Sequence, residues 1–296
     1  MKAILLLAHG TPNTLGEMAE YLGKVTGGRP MPQAVVEELQ HRYAEIGLGD
    51  TPGAEPPPLT KWTLKQAELL RAALQVPVYI GMRNWHPYIA DTVAQMKADG
   101  VDAATVICLA PQTSRTSIGL YKKVLLEAVS DAFAVDFVEG WHDEPKLIAA
   151  FTERLRAALK TAPAAAPVLF TAHSVPTRTV EGDNPDPYAR EAQHTAELVA
   201  KQAGIAHWVF AFQSQGVAGG PWIGPTVEET LRALKETGHT AVVIQPIGFV
   251  CDHVEVLYDI DVAFQHTAKE LGLQLFRAGS LNDSPLLTEA LVTLAK

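Results

Sequence analysis

The chain is poor in cysteine, in positive charge and in long apolar runs. Its 296 residues include two cysteines, Cys108 and Cys251. Two thiols cannot build a disulfide framework or a four-thiolate metal site. Both lie in apolar, strand-like stretches, which marks them as buried free thiols, with a single bridge as the alternative. Lys and Arg number 24 against 33 Asp and Glu, a formal charge of −9. A nucleic-acid binder carries a basic footprint, and none is present overall. No stretch approaches the roughly 20 apolar residues of an integral membrane segment. The opening run in MKAILLLAHGTP stops at Gly10 and Pro12 without a small-residue cleavage site behind it, so it reads as a buried strand rather than a secretion signal. These absences point to a soluble, cytoplasmic protein. Neither an apolar belt nor an anchor helix is evident, and a monomer is expected.

Catalytic signatures are missing too. There is no GxxxxGK phosphate loop, no GxSxG nucleophile elbow and no HExxH zinc motif. The segment GGPWIG, residues 219–224, has the wrong spacing for a dinucleotide fingerprint and a Pro inside it.

What is present is a large hydrophobic fraction, 47%, against 19% charged residues, enough for a packed core and incompatible with global disorder. Short apolar runs at 3–8, 76–81, 104–109, 134–138, 168–172, 207–212, 241–247 and 273–276 read as strands. Helical periodicity lies between them at 33–46, 64–74, 87–98, 118–132, 144–159, 188–202, 225–236, 255–271 and 285–294. This alternation predicts an α/β fold of βαβ units with parallel sheets flanked by helices. Runs such as ILLLA and AVVIQ fit strands covered on both faces. The stretch TAPAAAP, residues 161–167, is the best linker. It divides the chain into two lobes, 1–160 and 161–296, with the final helix free to pack back on the first lobe. Each lobe opens with the same phrase, ILLLAHGTP and VLFTAHSVP, so two similar Rossmann-like lobes are expected. Ligands of such folds sit beyond the carboxyl ends of strands, which puts His9 and His173 at the mouth of a cleft. The Gly/Pro-rich stretch 47–58 reads either as a binding loop or as a solvated excursion.

Three segments carry candidate chemistry. In TAHSVP, His173 follows an apolar strand and precedes Pro176. In QPIGFVCDHVEVLYDID, a strand turns into a helix bearing Asp252, His253, Glu255, Asp259 and Asp261. Glu255 and Asp259 are four apart and share a helix face, where like charges repel unless a cation is near. A solvated acidic first turn accounts for Asp252 but poorly for Glu255, which sits among Val254, Val256 and Leu257. In FQSQGVAGGPWIGPTVEETL, Gln213, Ser214 and Trp222 surround a Gly-rich loop suited either to a flat apolar ligand or to a turn stapled by a buried Trp.

With AHGTP, YIGMRNWHP, LAPQTS, WHDEP, TAHSVP, FQSQG, PWIGPTVEETL and PIGFVCDHVEVLYDID in this order along nearly the whole chain, the sequence resembles the ferrochelatases. The resemblance implies two chelatase-type lobes with a porphyrin cleft between them, and Fe²⁺ insertion into protoporphyrin IX or coproporphyrin III in haem biosynthesis. It implies His173 and Glu255 as catalytic and metal-site residues, with Asp259 behind them as a relay. Porphyrin contacts are expected from His9, Arg29, Gln213, Ser214 and Trp222, and Arg83 and Arg115 are further cationic candidates. Fe²⁺ and the porphyrin are substrates, no resident cofactor is expected, and contact with neighbouring haem-pathway enzymes would be transient. The chemistry fits the residues, since imidazole and carboxylate suit Fe²⁺. A histidine titrating near neutrality also accepts protons.

Some positions depart from the family. His9 stands where the coproporphyrin branch has a Tyr that ligates product iron. Pro57 replaces a Ser, Phe212 replaces a Trp of some members, and Ala263 leaves the outer end of the acidic line without a carboxylate. The sequence ends at Lys296 without a cysteine-bearing extension, so an iron–sulfur cluster is not expected. The alternatives are a cobalt or nickel chelatase for sirohydrochlorin and a haem- or porphyrin-binding protein without turnover.

Overall fold

The structure, a computed structural model, describes residues 1–216 and 220–296. Part of the Gly-rich segment expected to meet a ligand, residues 217–219, lies outside the described residues. The first half runs β1 (Lys2–Ala8), a 3-10 turn at Leu15–Glu17, α1 (Met18–Val25), α2 (Gln33–Glu45), α3 (Pro58–Leu74) and β2 (Val78–Met82). It continues through α4 (Ile89–Ala98), β3 (Ala103–Cys108), α5 (Ile118–Val129), β4 (Ala134–Val138) and α6 (Pro145–Leu159). The second half runs β5 (Val168–His173), α7 (Thr177–Val180), α8 (Tyr188–Ala203), β6 (Trp208–Gln213), α9 (Val227–Glu236) and β7 (Ala241–Pro246). After β7 come α10 (Val254–Leu257), a π-helical segment Asp259–Phe264, α11 (Gln265–Glu270), β8 (Gln274–Arg277) and α12 (Pro285–Leu294).

The strands form two parallel sheets, ordered β2-β1-β3-β4 and β6-β5-β7-β8. In each sheet the first strand of the half lies between the second and the third. The carboxyl ends of β1 and β5 are therefore switch points, where neighbouring connections diverge and leave a crevice. The repeated phrase in the sequence thus marks equivalent places in two sheets of the same order.

β1 is buried at every position but Lys2. Its alternate side chains serve two layers. Leu5 and Leu7 pack with Ile89, Val93 and Leu125. Ile4 and Leu6 join a cluster that runs through Ala67, Leu70 and Trp141 to Phe151, Phe170 and Ile247, and so spans both halves. Full burial of each such leucine contributes roughly 1.5–3 kcal/mol. α6 lies on α8 and α12, and α12 also lies on α3 of the first half.

The sequence analysis places all eight strands within two residues of their observed ends. It misses α1 and α7, which are short, and Gly23 breaks the helical signal in α1. It also errs at 255–271. That stretch is not one α-helix but α10, the π-helical segment and α11. The amides of Val262 and Ala263 both reach the Tyr258 carbonyl, so the chain takes an extra residue in that turn. The four-residue spacing from Asp259 to Ala263 therefore does not continue one helix face.

Candidate active site

The site is built at the carboxyl end of β5. His173 is the last residue of that strand and pairs with Gln213 of β6. Its Nδ1 is hydrogen-bonded to the Ser174 carbonyl, which leaves Nε2 pointing to Glu255, 3.5 Å from Oε1. On the other side of the same carboxylate, His253 Nε2 stands 3.6 Å from Oε2, with its Nδ1 3.0 Å from the Cys251 carbonyl. Each imidazole is held by a backbone carbonyl at one nitrogen and presents the other to Glu255. The His173 and Glu255 side chains are 31% and 33% exposed, so a cation can reach them. His253 was seen in the sequence only as part of an acidic stretch. It lies in extended backbone just ahead of α10, where helical periodicity carries no signal for it.

Burial opposes charge on both members of the central pair, and their mutual attraction outweighs it. Burial acts to lower the His173 pKa, but the charge and hydrogen bond of Glu255 raise it to about 9. Burial acts to raise the Glu255 carboxyl, but His173 and then His253 hold it well below the usual range. Near neutral pH the pair is imidazolium and carboxylate.

Asp259 opens the π-helical segment and is 7% exposed. Burial pushes its pKa up to about 6, helped by the Glu255 charge and opposed by the Ser214 hydroxyl, which donates to Oδ2. Arg42 of α2 lies 3.8 Å from its other oxygen. Gln213 is 2% exposed, takes a hydrogen bond from Thr171 on Oε1 and donates to the Glu255 carbonyl at 2.6 Å. Gln213 and Ser214, expected as porphyrin contacts, thus hold Glu255 and Asp259 in place. The sequence placed both residues at the site, but their partners come from a segment about forty positions away.

His9 follows β1 at the first switch point. Its Nε2 meets the Asn84 amide nitrogen at 2.9 Å, and its Nδ1 meets Gly10 O and Tyr21 Oη, both at 3.1 Å. Burial, then Arg83, lowers its pKa to about 4, so the ring is neutral. Both ring nitrogens have protein partners. Gly10 makes this turn at φ +87°, and a Cβ there would lie 2.7 Å from the Trp85 amide nitrogen. Trp222 faces His173 with ring centres 6.3 Å apart and packs on Gly216, where a Cβ would approach the indole to 2.6 Å. Arg29 is exposed and bonds its own loop at Thr26 O. Arg115 is tied to the carbonyls of Asn184 and Thr179, and Arg83 lies over the Tyr121 ring. None of these three touches the Glu255 cluster directly in the contacts the structure gives.

A cavity of about 360 Å³ adjoins the cluster, lined by the 47–58 loop together with Thr11, Tyr43, His253 and Val254. The loop therefore walls a cavity that meets the cluster at His253. Cys108 and Cys251 are buried free thiols, and burial pushes both up to about 12. Among the described residues no helix is long and apolar enough to cross a membrane.

The family model for ferrochelatase matches residues 1–296. The chain belongs to the ferrochelatase family. It is 53% identical to the ferrochelatase of Acidobacterium capsulatum, over 99% of this chain and 93% of that protein. It is 34% identical to the coproporphyrin III ferrochelatase of Geobacillus kaustophilus, over 98% and 94% of the two chains. The cobalt complex of the sirohydrochlorin chelatase SirB from Bacillus subtilis subspecies spizizenii has a similar fold. Its TM-score is 0.62 at 12% identity, over 99% and 93% of the two chains. At that identity the likeness concerns the fold alone. The whole-chain family match decides for ferrochelatase over the sirohydrochlorin alternative.

Within the ferrochelatase fold, His9 makes a hydrogen-bonded corner. His9→Ala strips partners from the Asn84 amide and the Tyr21 hydroxyl, and stability is expected to fall by roughly 1–3 kcal/mol. A drop in Tm with an unchanged absorption spectrum of bound iron porphyrin is the expected result. A shifted spectrum would instead mean that the ring leaves Asn84 and reaches iron.

Proposed function

We propose that this ferrochelatase-family chain inserts Fe²⁺ into a free-base porphyrin, protoporphyrin IX or coproporphyrin III, with release of two protons. The observation that carries the reading is Glu255 flanked by His173 Nε2 at 3.5 Å and His253 Nε2 at 3.6 Å, beside an open cavity. Fe²⁺ sits low in the divalent affinity series, and an imidazole–carboxylate pair holds it without trapping it. The four pyrrole nitrogens then outbid two protein ligands.

The electrostatics suit a proton exchange. Metal-free His173 carries a proton that must leave before Nε2 can take a cation. When the metal passes to the porphyrin, His173 is again free to accept a proton, this time from a pyrrole. Asp259, with its pKa near 6, is poised to take the other. Ser214 and Arg42 keep that carboxylate beside the cluster.

This coupling sets the sign of a pH effect. His173 has a raised pKa of about 9, so below that pH each bound cation displaces one proton. Apparent affinity for Fe²⁺, or for Zn²⁺ as its redox-inert probe, is expected to rise about tenfold per pH unit from 7 toward 9 and level off above. Calorimetry in buffers of different ionisation enthalpy counts the protons released. A pH-independent affinity would contradict the paired state of His173.

The direct test is anaerobic incubation with Fe²⁺ and each porphyrin in turn, following loss of the free-base bands. Many turnovers per protein chain are expected with at least one porphyrin. Stoichiometric binding without insertion would favour the porphyrin-binding alternative.

A further inference from the structure

A second group of metal-ligating side chains lies outside the Glu255 cluster. His142, Asp143 and His194 bring their ligand atoms within 4.8 Å of one another. His142 and Asp143 lie in the loop between β4 and α6, and His194 is on α8. The two imidazoles face each other with His142 Nε2 3.2 Å from His194 Nδ1 and ring centres 5.4 Å apart.

The surroundings prepare His142 as a ligand. Its Nδ1 lies 3.4 Å from Glu191 Oε2, and Glu191 is itself fixed by the Thr113 amide, which donates to the same carboxylate oxygen at 2.6 Å. A carboxylate beside Nδ1 favours the proton there and leaves Nε2, the atom that faces His194, free to ligate, the arrangement that orients metal-bound histidines. Glu191 and His194 are three apart on α8 and share a face. The loop is held on both sides. Trp141 Nε1 donates to the Cys108 carbonyl at 3.0 Å, and Glu144 caps α6 by accepting from the Leu147 amide at 2.8 Å. The Thr195 hydroxyl donates to the His142 carbonyl at 2.9 Å, tying the loop to α8. Two nitrogens each about 2.05 Å from one ion stand 3.2 Å apart when the angle between them is roughly 103°, close to tetrahedral.

We propose that His142, Asp143 and His194 form a second divalent transition-metal site, with Glu191 as the carboxylate that orients His142. Two imidazoles and one carboxylate select Zn²⁺, Co²⁺ or Ni²⁺ over Mg²⁺ and Ca²⁺. Water completes the coordination of the ion. Because the loop belongs to the first half and α8 to the second, the bound ion cross-braces the two. This site stands independently of the iron-insertion reading.

The test uses untagged full-length protein and Zn²⁺ in equilibrium dialysis and thermal unfolding. The Glu255→Gln background weakens binding in the cleft. In that background one Zn²⁺ is expected to bind and raise Tm, and an equal concentration of Mg²⁺ to leave Tm unchanged. His194→Ala is expected to lose both the bound ion and the shift. Glu191→Gln should keep the fold and weaken Zn²⁺ about tenfold or more. Asp143→Asn, at an exposed position, supplies a second variant should His194→Ala fold poorly, and is expected to weaken Zn²⁺ in the same direction. Undiminished Zn²⁺ binding in His194→Ala and Asp143→Asn would overturn the proposal. So would the absence of any Zn²⁺ in the Glu255→Gln protein, which would leave an imidazole–imidazole hydrogen bond as the whole of the contact.

Discussion

His173→Ala is expected to lower iron insertion by about 10²–10⁴-fold while the protein stays folded. The substitution removes the imidazole whose Nε2 faces Glu255, and with it both a metal ligand and a proton acceptor. It also removes the larger of the two imidazole partners that hold the Glu255 carboxyl down, so that pKa is expected to rise, with His253 left as its remaining partner. The fold should survive, because β5 is held by backbone pairing to β6 and β7 and by Leu169, Phe170 and Ala172, all fully buried. Single-turnover insertion, read beside far-UV circular dichroism and Tm, separates chemistry from folding. A variant with wild-type kcat would remove His173 from the mechanism.

Glu255→Gln is expected to produce a loss of similar size, about 10²-fold or more in turnover, with porphyrin affinity nearly unchanged. The carboxylate stands between two imidazoles, and the amide that replaces it neither draws a cation nor takes a proton. The Glu255 backbone carbonyl, which accepts from Gln213, is untouched, so α10 should keep its place. The variant also has a signature that a merely structural residue would lack. Glu255 raises the His173 pKa to about 9, so in Glu255→Gln the His173 titration must move down. Histidine NMR titration reads this directly. Weakened porphyrin binding with intact single-turnover chemistry, or an unmoved His173 pKa, would count against the role.

Much of this protein was written in local pattern. Buried parallel strands announce themselves as short apolar runs, and all eight are where those runs predict. The repeated phrases ending in His9 and His173 disclosed two equivalent strand ends, because both sheets obey the same strand order. His173, Glu255 and Asp259 were singled out from their motifs, and the fold brings them into one cluster. The tertiary structure decided what those residues do to one another. His173 and Glu255 are 82 positions apart, and only the packing of β5 beside β7 brings the imidazole to the carboxylate and sets the charge on both. The π-helical turn at 259 was invisible, since its extra residue comes from a backbone hydrogen bond rather than from side-chain periodicity. The sequence placed Gln213 and Ser214 at the site, but their hydrogen bonds to the Glu255 carbonyl and to Asp259 are supplied by the fold. His9 read either as a ligand or as a hydrogen-bonded strand end, and only the fold supplies Asn84 and Tyr21 as partners for its two nitrogens. Local sequence prescribes which segments are buried and where strands end. A side chain's charge and free valence depend on neighbours that only the folded chain supplies.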